Sequence, residues 1–91
     1  MDNVVRDVTV KNRAGIHTRP ASMIVRAAAK YRAEFFIEKD RYQINGKSII
    51  GVMTLAAEQG SQLRLVFTGD DAKAAADDMV ALFDNGFGEE L

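Results

Sequence analysis

The chain contains no cysteine and no tryptophan, and it has a single proline and a single histidine. The absence of cysteine excludes disulfide bonds, thiolate metal sites and thiol nucleophiles, and it is consistent with a reducing compartment. No apolar run approaches the roughly 20 residues that a membrane-spanning helix requires, and the N-terminus lacks the pattern of a signal peptide. We therefore expect a single cytoplasmic domain over residues 1–91, without direct insertion into a membrane.

Acidic residues are missing from the whole stretch between Val8 and Ala33. That stretch contains the basic residues Lys11, Arg13, Arg19, Arg26, Lys30 and Arg32. After Gly69 the balance reverses, because the acidic residues there are opposed by Lys73 alone. The net charge of −1 therefore hides a basic segment, which also holds the histidine, and an acidic one. The basic segment would attract a phosphate or an acidic partner, although a solvated helix face explains the same charges.

The apolar periodicity predicts the order strand, helix, two strands, helix, strand, helix. This order is typical of an α+β fold of the split βαβ kind, with helices on one face of a mostly antiparallel sheet. The pattern alone does not fix the strand order. The expected strands contain Val4, Val8 and Val10 in the first, residues 34–39 and 42–45 in the next two, and Leu63, Leu65 and Phe67 in the last. The first expected helix has the apolar stripe Ala21, Ile24, Val25, Ala28 and Tyr31, and the second is capped by Ser48 and runs to about Ala57. The last helix has the stripe Ala72, Ala75, Ala76, Met79, Val80 and Phe83 and ends near Gly86.

The segment 15–21, with the sequence GIHTRPA, combines the histidine with features of a helix start. Proline is tolerated only in the first turn of a helix, so Pro20 places His17 or Thr18 at or next to the N-cap. The first N–H groups of a helix point outward without internal partners, which suits a phosphate. Arg19 adds a guanidinium with bidentate geometry for phosphate oxygens, and we expect Gly15 to keep the approach free of a side chain.

These features predict that His17 carries a phosphoryl group. A histidine ring has a nucleophilic neutral form at physiological pH, and phosphoryl transfer needs little beyond positioning and charge stabilisation. We expect the helix dipole and Arg19 to disfavour the protonated ring. The alternative is that His17 is one of the many histidines that lie on a surface or cap a helix without a chemical role.

Other site classes find little support in the sequence. A metal site is not expected, because one histidine and no cysteine leave only carboxylates, and none is expected near His17. A serine hydrolase would need a base paired with a serine, and no nucleotide-binding fingerprint is present. Nucleic-acid binding is not expected either, because the charge balance is wrong and the aromatic residues form no RNA-binding signature. No cofactor is implied.

Three segments give the chain a resemblance to a known family: GIHTRPA, NGKSIIGVMTLAA over residues 45–57, and the closing GFGEE. Over nearly its whole length it resembles HPr, the histidine-containing phosphocarrier of the bacterial phosphoenolpyruvate-dependent phosphotransferase system. The resemblance implies an open-faced β-sandwich, with a four-stranded antiparallel sheet ordered 1-4-2-3 and three helices on one face. It also implies a phosphocarrier that turns nothing over unaided, and is therefore not an enzyme.

In the resembled family, the residue matching His17 accepts the phosphoryl group on Nδ1 from phospho-enzyme I and donates it to enzyme IIA domains. The resemblance implies that Arg19 assists this transfer and that Thr18 and Arg19 bind the phosphate through backbone amides and the guanidinium. A monomer involved in sugar transport is the corresponding expectation. Thr18 departs from the alanine more common in the family. The GFGEE ending is closer to relatives of the nitrogen branch, whereas Pro20 is the usual residue of the sugar branch. The sequence therefore leaves the pathway open.

Ser48 matches a regulatory serine of that family, which implies an HPr kinase/phosphorylase and a transcriptional regulator as further partners. A plain N-cap without regulation explains the same residue. Ile49, Ile50 and Met53 match a docking helix, and Arg26 is expected to join that surface. Exposed methionine suits a surface that meets several partners, but we also expect at least one of the three apolar residues to belong to the core. A mainly regulatory binding module is the alternative function.

Overall fold

The computed structural model describes residues 2–91. The elements in chain order are β1 (Asn3–Thr9), α1 (Thr18–Ala29), β2 (Glu34–Lys39), β3 (Tyr42–Asn45), α2 (Ile49–Thr54), β4 (Gln62–Thr68) and α3 (Ala72–Asp84), followed by a 3₁₀ turn at Gly86–Gly88. This confirms the predicted order of strands and helices. Over residues 2–91, no helix combines the length and apolar character needed to cross a membrane.

The four strands form one antiparallel sheet in the order β1-β4-β2-β3. This is the order that the resemblance implies, and it makes β4, the last strand in the sequence, a central one. Alternate side chains of β4, namely Leu63, Leu65 and Phe67, are buried, whereas Arg64 between them is exposed. Because successive side chains of a strand point to opposite faces, the buried residues of β4 lie on the face that the three helices cover, and Arg64 lies on the open face.

The core lies between the helices and the covered face of the sheet. Phe35 of β2 and Phe67 of β4 stack with ring centroids 4.5 Å apart and an interplanar angle of 2°. A Cβ at Gly46 would lie 2.3 Å from the Phe35 ring, so a larger residue there would displace this pair. Most of the predicted helix stripes are buried, but Val25 and Val80 are only half-buried, and Tyr31, also half-buried, lies beyond the end of α1 at Ala29.

Two turns explain where elements end. Asp40 and Arg41 adopt φ values of 50° and 73°, the left-handed conformation that tight hairpins use, so the predicted hairpin forms without glycine. The helix α2 ends at Thr54, earlier than the expected Ala57. Ala56 has a φ of 48° and its N–H donates to the Met53 carbonyl, an arrangement that stops a helix.

Candidate functional site

His17 is the N-cap residue of α1, as the position of Pro20 predicts. Its backbone is extended (φ −93°, ψ −165°), and its carbonyl accepts the Ala21 N–H at 3.0 Å. The His17 side chain makes no cap hydrogen bond, so it does not occupy the N–H groups of the first turn. The helix start at Thr18 and Arg19 therefore remains available to an anion.

Gly15 is required for a different reason from the expected one. It adopts a φ of 73°, and a Cβ on it would lie 2.6 Å from the Ala57 carbonyl oxygen. The Ile16 N–H donates to that same carbonyl at 2.9 Å. Glycine therefore lets the loop before α1 lie against the loop after α2; it does not serve to clear the approach to the histidine.

A carboxylate contacts the His17 ring, contrary to the expectation that none would. The Nε2 atom of His17 lies 2.9 Å and 3.0 Å from the two carboxylate oxygens of Glu89. Glu89 also accepts hydrogen bonds from Asn12 Nδ2 and Arg19 Nη1, each at 3.0 Å. Glu89 belongs to the GFGEE segment, but it is 72 residues from His17 in the chain, and no local pattern reveals the contact.

The hydrogen bonds to Glu89 fix its charge state and constrain the ring. The bond from His17 lowers the pKa of the Glu89 carboxyl; partial burial opposes this, and the bonds from Asn12 and Arg19 reinforce it. An ionised carboxylate only accepts hydrogen bonds, so Nε2 is the donor. In the neutral ring, a proton on Nε2 leaves the lone pair on Nδ1. The expectation that the helix dipole and Arg19 set the charge of the ring is therefore incomplete, because the Glu89 carboxylate also contacts it.

Arg19 points toward the C-terminal segment of the chain. Its Nη1 donates to the Phe87 carbonyl and to Glu89, both at 3.0 Å. Its side chain is 56% exposed, so the guanidinium remains accessible beside His17. Thr18, the first residue of α1, is also exposed.

The basic and acidic segments of the sequence pair with each other in the fold. The cross-segment ion pairs are Lys11–Asp84 at 3.5 Å, Arg13–Glu90 at 2.8 Å and Arg19–Glu89 at 3.0 Å. The basic stretch is therefore partly neutralised: Lys11, Arg13 and Arg19 are paired, whereas Arg26, Lys30 and Arg32 form no ion pair among residues 2–91. Residues 2–91 contain no group of three or more His, Cys, Asp or Glu residues placed to hold a metal ion.

Ser48 caps α2, as predicted. Its backbone is extended (φ −106°, ψ 117°), and its Oγ accepts the Gly51 N–H at 3.1 Å. The residue is half-buried.

The three apolar residues expected to dock partners are all exposed. The exposed fractions are 40% for Ile49, 74% for Ile50 and 40% for Met53. The expectation that at least one of them belongs to the core is wrong, because Val52 supplies the buried side chain of this six-residue helix. Arg26, on the packed neighbour α1, is exposed as well. The loop residues Ala56 and Ala57 that follow α2 line a shallow depression together with His17.

Known proteins are similar to this chain in sequence and in fold. The family described as "PTS HPr component phosphorylation site" matches residues 4–85. The chain is 47% identical over 87 residues to a phosphocarrier protein HPr of Treponema pallidum, covering 96% of this chain and 99% of that protein. It is 38% identical to an HPr-like protein Crh of Halalkalibacterium halodurans, covering 89% and 96%. A crystal structure of HPr-C-His from Thermoanaerobacter tengcongensis superposes with a TM-score of 0.90, at 40% identity and full coverage of both chains.

The sequence and fold evidence agree over nearly the whole chain. The family match includes the histidine segment, and the relatives are covered almost end to end. The chain therefore belongs to the HPr family and is a phosphocarrier protein of the phosphotransferase system rather than an enzyme.

Proposed function

We propose that His17 accepts a phosphoryl group on Nδ1 from phospho-enzyme I and passes it to enzyme IIA domains in the cytoplasm. The observation that carries this proposal is the position of His17 as N-cap of α1, with Nε2 engaged by Glu89 and Nδ1 left as the nucleophilic atom. The proposal needs no cofactor and no metal, because the reaction moves one phosphoryl group between side chains.

The groups around His17 suit a bound phosphoryl group. The amides of Thr18 and Arg19 open the helix, and their partial positive charge favours an anion. The exposed guanidinium of Arg19 adds a full charge with planar donors. Thr18, which stands where the family more often has alanine, places a hydroxyl at the first helical position and offers one more polar group there.

The exposed side chains of Ile49, Ile50 and Met53 support docking of enzyme I and IIA domains next to His17. Contiguous exposed apolar residues on a small monomer are typical of an interaction surface. The flexible thioether of methionine allows one surface to fit several partners. Arg26 extends this surface on α1 with a positive charge that would attract acidic partners.

Labelling with phosphoenolpyruvate and enzyme I tests the carrier function. The wild-type chain is expected to gain acid-labile, alkali-stable phosphate, which addition of a IIA domain then removes. His17→Ala is expected to take up no label while its circular dichroism spectrum stays unchanged. A wild type that remains unlabelled, or a His17→Ala variant that labels equally, would overturn the proposal.

A regulatory role through Ser48 is the second candidate function. The phosphoserine would lie at a helix N-terminus, where its charge is tolerated, so its effect would fall on partner docking rather than folding. The similarity to the HPr-like protein Crh of H. halodurans gives this alternative only weak support. Its partners would be an HPr kinase/phosphorylase and a transcriptional regulator, without a role in sugar uptake.

Two measurements separate the candidates. Incubation with ATP and an HPr kinase is expected to label the wild type but not Ser48→Asn, a substitution that retains a capping oxygen. Phosphorylated wild-type chain is then offered in parallel to IIA domains of the sugar and nitrogen branches. Transfer to sugar IIA domains excludes a purely regulatory role, and transfer to the nitrogen IIA alone assigns the chain to that branch.

A further inference from the structure

We propose that Glu89 is a positioning residue that holds the His17 ring with its proton on Nε2 and stabilises the charge that the ring gains on phosphorylation. This inference rests on the proposed role of His17 as the phosphoryl acceptor. It assigns a function to the C-terminal segment, which lies apart from the histidine motif in the sequence.

The contact geometry supports this assignment. Both carboxylate oxygens of Glu89 lie within 3.0 Å of His17 Nε2, and the Glu89 side chain is only 16% exposed. Because an ionised carboxylate has no proton to donate, the contact stabilises the ring form in which Nε2 carries the proton. Nδ1 then holds the lone pair, which is the state needed for attack on phosphorus.

Asn12 holds the Glu89 carboxylate in place through a hydrogen bond. Its side chain is fully buried, and its Nδ2 donates to the Gly15 carbonyl at 2.7 Å and to Glu89 Oε1 at 3.0 Å. Both partners are acceptors, which sets the orientation of the amide. The Asn12 Oδ1 atom has no hydrogen-bond partner among residues 2–91. Burying an amide oxygen without a hydrogen-bond partner lowers the stability of the fold. Asn12 is nevertheless the residue that links Glu89 to the loop before His17.

The backbone before Glu89 is bent into an unusual conformation that returns the chain to His17. Gly86, Phe87 and Gly88 all adopt left-handed φ values of 58°, 57° and 72°. That conformation is unfavourable for a residue with a Cβ, and Phe87 keeps it because its ring is fully buried against Phe83. The Arg13 N–H also donates to the Glu90 carbonyl at 2.8 Å, which secures the far side of Glu89.

The transfer step explains why a charge at Nε2 matters. The Nδ1 lone pair forms the bond to phosphorus, and the bond between phosphorus and the donor atom breaks with its electron pair left on the donor. The Nε2 proton stays in place, so the ring acquires positive charge as the N–P bond forms. The Glu89 carboxylate lies against the atom that shares this charge and stabilises it. On donation the step reverses, and Nδ1 leaves as part of a neutral ring.

Substitutions at Glu89 and Glu90 test this role with two donors. Phosphoramidate transfers its phosphoryl group to imidazoles without a partner protein, and phosphoenolpyruvate with enzyme I supplies the physiological route. Glu89→Gln is expected to slow phosphorylation by both donors by about tenfold or more, because the glutamine NH₂ group faces the ring and the donors of Asn12 and Arg19. Glu90→Gln, which alters an exposed pair with Arg13, is expected to stay within twofold of wild type.

The order of the variants separates positioning from a structural role. Glu89→Ala removes the carboxylate without adding an NH₂ donor, so we expect it to be phosphorylated no more slowly than Glu89→Gln. A structural role predicts the reverse, since glutamine preserves the shape of the side chain. Glu89→Gln within twofold of wild type, or faster than Glu89→Ala, overturns the proposal.

The tautomer of the His17 ring can be measured directly in the unphosphorylated protein. The ¹⁵N chemical shifts of the His17 ring, measured on the alkaline plateau of its titration, report which nitrogen carries the proton. We expect the proton on Nε2 in wild type and a shift toward Nδ1 in Glu89→Gln; unchanged shifts overturn the proposal. If enzyme I fails to label the wild type while this shift is observed, the carrier function fails and the positioning role stands.

Discussion

Arg19 is the residue of the site whose effect on phosphoryl transfer can best be measured without disturbing the fold. Its side chain is exposed, and among residues 2–91 its guanidinium donates to the Phe87 carbonyl and Glu89, so it contributes charge rather than core packing. Arg19→Ala is therefore expected to fold normally and to slow phosphoryl transfer by roughly 10–100-fold. Time courses of phosphorylation by enzyme I measure the transfer rate, and the melting temperature shows whether the variant folds normally.

Arg13→Ala is the matched control for Arg19→Ala. Arg13 is also an exposed arginine paired with a C-terminal glutamate, but its partner is Glu90 rather than Glu89. Its substitution should leave the transfer rate within about twofold, since exposed ion pairs contribute little. Equal phosphoryl-transfer rates in wild type and Arg19→Ala would show that Arg19 does not assist the transfer.

At the scale of elements, α2 depends on its cap more than a longer helix would. It has six residues, one of them buried, and the Ser48 Oγ satisfies the Gly51 N–H. Ser48→Ala is expected to lower the free energy of unfolding by about 1 kcal/mol, whereas Ser48→Asn should stay within roughly 0.5 kcal/mol of wild type. Urea denaturation measures both.

This difference matters for any study of Ser48 phosphorylation. A loss of regulation shared by Ser48→Ala and Ser48→Asn reflects the loss of the hydroxyl that is phosphorylated. A loss confined to Ser48→Ala reflects the missing helix cap. If the two variants are equally destabilised, the Ser48 side chain does not stabilise α2 in the way that its hydrogen bond indicates.

At the scale of the whole molecule, Asp71 ties the start of α3 to the loop between α1 and β2. Its carboxylate accepts the backbone N–H groups of Arg32 and Ala33, each at 2.8 Å. The bond from Arg32 lowers the pKa of the Asp71 carboxyl, partial burial opposes the shift, and the bond from Ala33 reinforces it. A carboxyl whose pKa is lower in the folded state stabilises the fold when ionised.

The sign of the pH dependence follows from that shift. The stabilisation by Asp71 is fully present above the unfolded pKa of about 4 and is lost as the pH falls through the lower folded pKa. Asp71→Asn is therefore expected to melt below wild type at neutral pH, with the difference shrinking once both are acidified. Melting temperatures across the acid range measure this. A gap that stays constant from neutral to acid pH would contradict it.

Most of the fold was predictable from local pattern. The bounds of β2 and β3 agree with the expected strands, and the hairpin between them forms at Asp40 and Arg41 as expected. The strand order did not follow from periodicity, because pairing between strands is a choice among distant segments; the family resemblance supplied it. The end of α2 was missed because Ala56, a good helix former, adopts a left-handed conformation in the packed loop.

The sequence by itself predicted that the histidine lies at the start of a helix. Proline fixes its own φ and is tolerated only in the first turn of a helix, so Pro20 places His17 or Thr18 at or next to the N-cap wherever α1 packs. The capping by Ser48 is local for the same reason. These features depend on neighbours within one helical turn, and such short-range constraints can be read directly from the chain.

Only the tertiary structure decided what surrounds His17 and what remains exposed. Glu89 reaches the ring from 72 residues away, and the exposure of Ile49, Ile50 and Met53 depends on which face of α2 packs inward. The acidic and basic segments, separate in the sequence, are joined in the fold by three ion pairs. Contacts of this kind arise when remote segments pack together, and no residue pattern within either segment specifies them.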